Sequence, residues 1–315
     1  MPSLSRSALV IVALLLPAAL SSQQPGLTRA LDLERRGDYV AAAQAYRAVL
    51  ATRPADVSAL LGLERSLLPL GRSTEMLPAV GAAIKAAPTS STVYSIALRA
   101  WAAANQPDSV RIMAERWARM APTEETPYRE WGAAELGQQN REGARAAYLK
   151  GRAQLGRPDA MAAEFAQLAL AEGDYPEAMR EWLLAVRRLP GYRGTAVSTL
   201  SQAPERVRPE LLRLIAADSD LQTRRLEAEL RTLWGDPLGG YRALAAVLPD
   251  DRVQAIAALR SLLEQVRTLR TAAGKQAQGQ ILEALASRAP DSQSPRLRLE
   301  SAQAYSAAGD RSAAR

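Results

Sequence analysis

Three prolines stand 34 residues apart, at Pro54, Pro88 and Pro122, and the beat continues at Gly156 and Pro190. Seventeen residues ahead of each beat runs a second series: Gly37, Gly71, Asn105, Gln139 and Gly173. Every member of both series is a residue that favours or tolerates a break between helices. Five consecutive units therefore share one register, 23–56, 57–90, 91–124, 125–158 and 159–192. A period of this length, cut in half by breakers, belongs to stacked helical hairpins, and it predicts an all-α fold.

The residues inside each unit agree. In unit five, Met161, Phe165 and Leu168 fall at helical spacing, and Gly173-Asp174-Tyr175-Pro176-Glu177 supplies the turn. Asp174 is placed to cap the next helix, and Pro176 sits in its first turn, where a missing N–H costs little. Ala178 lets two helices approach closely, and Trp182, four residues on, fills the gap beside it. The same pair recurs as Ala42 with Tyr46 and as Ala144 with Tyr148.

At these residues the chain resembles the tetratricopeptide repeat family. The resemblance lies in Gly37-Asp38-Tyr39 with Ala42, Tyr46 and Pro54, and in Gly173-Asp174-Tyr175 with Ala178, Trp182 and Pro190. It continues in Tyr128, Trp131 and Gly132 with Ala144 and Tyr148. Units two and three depart from the pattern: Met76 and Val110 replace the small alanine, and Val80 and Ala114 replace the aromatic. There the frame is kept by spacing, with Trp101 and Trp117 placed to refill the volume. The resemblance implies a right-handed superhelical solenoid of stacked antiparallel helix pairs, about eight hairpins in all, presenting a concave groove. It implies a scaffold, a fold used for many jobs.

Beyond Tyr192 the register slips. Residues 193–217 read as two short helices around Pro204 and Pro209, and Leu221–Trp234 with Gly240–Leu248 as a hairpin turning at Gly235-Asp236-Pro237. Val253–Leu269 follows as an amphipathic helix, then Ile281–Ser287, and a last unit opens at Pro295. The expected organisation is residues 1–21 as a secretory signal, 22–192 as five regular repeats, and 193–315 as degenerate hairpins with an incomplete last unit. The last hairpin stops at Arg315, about five residues into its closing helix, whereas an array ordinarily ends in a polar capping helix. The native chain is expected either to continue or to have that end covered by a partner.

Two absences narrow the chemistry. With no histidine there is no imidazole base for a serine or cysteine nucleophile and no HExxH zinc site. With no cysteine there is no thiolate catalyst, no disulfide and no lipidated cysteine at a leader junction, so a lipoprotein is excluded. Thr271-Ala-Ala-Gly274-Lys275-Gln276 holds a Gly-Lys pair but lacks the upstream glycine and following hydroxyl of a phosphate loop, and is read as a turn. Glu124-Glu125 and Asp250-Asp251 read as first-turn carboxylates of helices, and the five tryptophans as core. No catalytic residue, cofactor or metal ligand is expected, and the chain is read as no enzyme.

The net charge of +7 is spread thinly, +2 over residues 23–192 and +4 over 193–315, with Arg6 supplying the remainder. There is no basic tail and no aromatic-basic interleaving, so nucleic acid is not an expected partner. Ahead of the repeats, Arg6 gives a positive start, Ala8–Leu20 is an unbroken apolar run, and Ser21-Ser22-Gln23 is abruptly polar. Thirteen residues rise roughly 20 Å, short of a ~30 Å hydrocarbon core, so this segment reads as a signal peptide cleaved near Ser21. The mature protein is expected in the periplasm, without a membrane span.

One constellation points at a ligand. In the resembled family the first helix of each hairpin lines the groove. Arg65 and Arg99 occupy equivalent places on the first helices of units two and three, and Arg129 lies about one turn earlier in unit four. Together they would make a basic ladder for carboxylates of a partner; equally they would be three solvated arginines on an arginine-rich surface. The family's chaperone-tail carboxylate clamp is not reproduced, since unit one offers Leu27 and Leu31 where it wants polar groups. The expected function is a non-catalytic protein–protein interaction scaffold in the bacterial envelope. The alternatives are the recognition half of a longer secreted enzyme, or a component of a polysaccharide secretion system. Partner identity and oligomeric state are not legible.

Overall fold

A computed structural model describes residues 25–314, and the leader read over residues 1–21 lies outside the described residues. Seventeen α-helices succeed one another, with no strand among the described residues. The breaker series explains where they stop. Gly37, Gly71 and Gly173 all adopt positive φ, and so do Asn105 (54°) and Gln139 (60°). The left-handed conformation turns the chain out of one helix and toward the next, and it strains a side chain but not a glycine. After the turn an aspartate or asparagine restarts the helix: Asp38, Asn140 and Asp174 each accept a backbone N–H three residues on, at 2.9–3.1 Å.

The chain divides into two units between Ala104 and Asn105, inside the third 34-residue unit. That unit is one of the two whose alanine and aromatic are replaced.

The first unit holds α1 (Pro25–Arg35), α2 (Tyr39–Thr52), α3 (Val57–Leu67), α4 (Leu77–Ala86) and α5 (Ser91–Ala103). Its first hairpin, α1 with α2, packs closely and hands on to α3. Tyr46 of α2 is fully buried, and its ring lies over Gly62 of α3, where an added Cβ would overlap the ring. The second hairpin differs. After Gly71 the chain makes a 3-10 turn at Ser73–Met76, and α4 begins only at Leu77. α4 packs on α5, while α3 packs on the 3-10 turn.

The second unit runs from α6 (Pro107–Met120) through α7 (Thr126–Gly137), α8 (Arg141–Leu155), α9 (Ala162–Glu172) and α10 (Tyr175–Arg188). It continues as α11 (Arg193–Leu200), α12 (Arg208–Ala216), α13 (Leu221–Leu233), α14 (Pro237–Ala245), α15 (Arg252–Arg267), α16 (Ala272–Ala286) and α17 (Ser294–Ala308). The pairs α7–α8, α9–α10, α13–α14 and α16–α17 pack side by side. Ala144 and Ala178 are sealed from solvent, as is Trp182, and Tyr148 meets Phe165 edge-on at 5.5 Å. Trp117, Trp131 and Trp182 are core; Trp101 and Trp234 are half-buried.

The segment read as a turn, Thr271–Gln276, is the first turn of α16. Thr271 Oγ1 accepts the Gly274 N–H at 3.1 Å, and Gly274 lies against Leu269, where a side chain would clash. Glycine here serves close packing, and the helix starts nine residues before Ile281. Asp251 does cap α15, accepting from Gln254 at 2.7 Å.

Candidate partner-binding face

Ion pairs run from first helix to first helix. Arg65 on α3 grips both oxygens of Glu34 on α1, at 2.6 and 3.0 Å, and Glu34 also accepts from the Tyr46 hydroxyl at 2.5 Å. The Arg65 guanidinium foremost, helped by Tyr46 and opposed by burial, holds the Glu34 carboxyl below its usual range. Burial and this carboxylate together push the Tyr46 phenol far above its ordinary value. Glu64, beside Arg65, accepts Nε and a terminal nitrogen of Arg99 on α5 at 2.9 Å each, and Arg99 also donates to Ser95 Oγ at 3.1 Å. Both pairs have the two-pronged geometry that makes guanidinium and carboxylate strong partners.

In the second unit Arg129 on α7 pairs with Glu164 on α9, and at 2.8 Å with Glu125 just ahead of its own helix. Glu125 is shared with Arg157 and Arg188, and both of these also reach Asp159. Burial opposes the Arg129 charge, but Glu164 and Glu125 outweigh it and raise the guanidinium above its usual value. Glu125 is thus a network hub as well as a helix-start carboxylate.

Arg65, Arg99 and Arg129 are therefore each held in an ion pair and are not open cations. Arg65, Arg99 and Arg129 all sit on first helices, yet each carries an internal carboxylate that an acidic ligand would have to displace. Sequence spacing held the clue: Glu64 to Arg99 and Arg129 to Glu164 are both 35 residues, one repeat plus one.

Arg65 and Arg99 both line a cavity of about 260 Å³ in the first unit, with Glu64 and Ser73. Its walls are Leu67, Met76, Ala100 and Ala103, with Leu68 at its edge, 70% exposed. The cavity lies at the 3-10 turn, where the second hairpin lacks the alanine and aromatic found in its regular counterparts.

Hairpins of two antiparallel helices, a 34-residue period, a left-handed turn at every half period and an aromatic wedged beside a small residue are now all placed. This is a tetratricopeptide-repeat fold. No family model and no curated protein matches the sequence. Solved repeat structures do. A thermophilic tetratricopeptide-repeat protein of Thermus thermophilus is 22% identical, with TM-score 0.35, over 56% of this chain and 98% of that one. A repeat protein of Parabacteroides merdae is 14% identical, with TM-score 0.35, over 88% and 97%. MamA protein is 18% identical, with TM-score 0.35, over 53% and 93%. Likenesses this distant carry no functional argument, and the assignment rests on the repeat geometry. Among the described residues, no three carboxylates gather as metal ligands would, and no helix is long and apolar enough to cross a membrane.

Proposed function

We propose that this chain is a non-catalytic interaction scaffold of a bacterial cell envelope, holding a peptide or protein partner on the face built by its first helices. The carrying observation is the cavity between α3 and α5. Its lining is mostly apolar, and it includes two guanidinium groups whose charges Glu34 and Glu64 already balance. Such a site suits a large apolar side chain, with the peptide backbone crossing the mouth. Arginine has five N–H donors, and the two-pronged pairing of Arg65 with Glu34 leaves others for backbone carbonyls of the guest. The occupant is thus a peptide anchored by one apolar residue, and not a polyacidic tail. The envelope assignment is supported by Arg6, the apolar run Ala8–Leu20 and the polar junction at Ser21.

Display selection of random peptides on the full chain tests the site. Enriched peptides should share one large apolar residue, and Ala103→Trp, which fills the cavity from an exposed position, should weaken them at least tenfold with helicity unchanged. Peptides that bind Ala103→Trp as well as wild type would remove the cavity from the reading. N-terminal sequencing of the protein from an envelope fraction tests the address: a start near Ser22 supports it, and an intact Met1 in cytosol refutes it.

A further inference from the structure

Most half-buried guanidinium groups of the second unit have an acid. Arg225, half-buried on α13, does not. No carboxylate lies within 4.0 Å of it among the described residues. Its neighbour Arg193, at the start of α11, takes the local acid, Glu229, at 3.0 Å. Arg193 also takes the carbonyl oxygen of Gln222 at 2.9 Å, which leaves Arg225 a marginal 3.5 Å approach to the same atom. The Nε of Arg225 is covered by protein and donates to nothing. A covered N–H without an acceptor and a half-buried charge without a counter-ion are both unfavourable.

Gln222, Arg225 and Glu229 are spaced three and four apart, so they share one stripe of α13, and Arg193 packs along it. Two guanidinium groups and one carboxylate leave this cluster one positive charge in excess. Burial foremost, then the charge of Arg193, with Glu229 in opposition, holds Arg225 below its ordinary value. The rungs Glu34–Arg65 and Glu64–Arg99 are internally neutral by contrast. Here the internal acid is missing.

We propose that Arg225, with Gln222 and Arg193 beside it, is a carboxylate-binding subsite that takes a single acidic group of the partner, an aspartate or glutamate side chain or a chain terminus. This deepens the scaffold reading and rests on it. A monoanion suits the cluster because it cancels the excess of one, and the terminal nitrogens of Arg225, its covered Nε apart, can hold one carboxylate. A phosphate dianion would overshoot and face Glu229. The subsite costs stability when empty, as binding groups held unpaired commonly do.

Thermal unfolding of the full chain at pH 7, in sodium acetate, chloride or phosphate at equal ionic strength, tests it. Acetate at 0.2 M should raise the wild-type midpoint over chloride by roughly 2–4 °C, through binding to the folded state alone. Arg225→Met keeps the stem and removes the charge; its midpoint in chloride should equal or exceed that of wild type, and the acetate increment should vanish. An increment that persists in Arg225→Met, a rise with phosphate alone, or no increment at all would overturn the subsite. A lower midpoint for Arg225→Met in chloride would show Arg225 to be a structural cation. None of these readings depends on a peptide binding the first unit, so the subsite and the scaffold reading can fail separately.

Discussion

The hairpin α9–α10 and the hairpin α3–α4 occupy the same slot in the repeat, yet they are built in opposite ways. In α9–α10 the turn at Gly173 runs straight into a capped helix, Ala178 lets the helices close, and Trp182 fills what remains. In α3–α4 the equivalent residues are Met76 and Val80, the chain passes through a 3-10 turn first, and a cavity opens beside α3. In α9–α10 the small residue and the aromatic close the seam between the two helices. Losing that pair loosens the seam and leaves volume beside α3. In these two hairpins the regular one closes at its seam, and the irregular one leaves a cavity beside α3.

That contrast can be broken by substitution. Trp182→Ala should be the most damaging change, about 3–5 kcal/mol, because it empties a sealed position; chemical denaturation should show it. Val80→Ala, at the equivalent place, should cost only about 1–2 kcal/mol, since fewer methyl groups are removed. Equal losses would mean the two hairpins are packed alike. Gly132→Ala comes next, at about 1–3 kcal/mol, because its Cβ would strike the Tyr148 ring. Gly81→Ala, in α4 with open space around it, should be neutral or slightly stabilising. Asp174→Ala removes the cap that accepts the Glu177 N–H and should cost about 1 kcal/mol.

The smallest effect concerns acid. Glu34 has a folded-state pKa held below its unfolded value by Arg65, so its contribution is present above the unfolded value. That contribution is lost as pH falls through the lowered one. The denaturation midpoint should therefore decline below about pH 4, the ordinary carboxylate range, and Glu34→Gln should flatten part of that decline. An acid profile unchanged by Glu34→Gln would mean the Arg65 pair adds no stability.

The fold was legible because its signals are local. A left-handed turn is written in Gly37 or Gly173, a cap in Asp38 or Asp174, and a close seam in Ala42 with Tyr46. Even Asn105 and Gln139, poor substitutes for glycine, were placed by spacing alone. What escaped depends on partners distant in sequence. Gly274 has the composition of a turn, and only the approach of Leu269 explains it as a helical residue. The delayed start of α4 accompanies a buried Met76 in a 3-10 turn packed on α3, which no local pattern announces. Arg65, Arg99 and Arg129 were correctly put on first helices, but their acids sit a repeat away. Spacing told where each side chain begins and not what meets it at its end.

Glu64 and Arg65 are neighbours on one helix, and they tie it in two directions, Arg65 back to α1 and Glu64 forward to α5. The helix thus carries both halves of a hook and eye. An extra copy of it, spliced in by gene duplication, would bring its own hook and its own eye, and both flanking joints would survive. A helix imported without the Glu-Arg dipeptide would undo two joints at once, leaving Glu34 with the Tyr46 hydroxyl and Arg99 with Ser95 but neither with its charged partner. Lengthening by internal copying is thereby tolerated, and exchange with foreign repeats is penalised. Anyone grafting a hairpin into this chain should carry those two residues along.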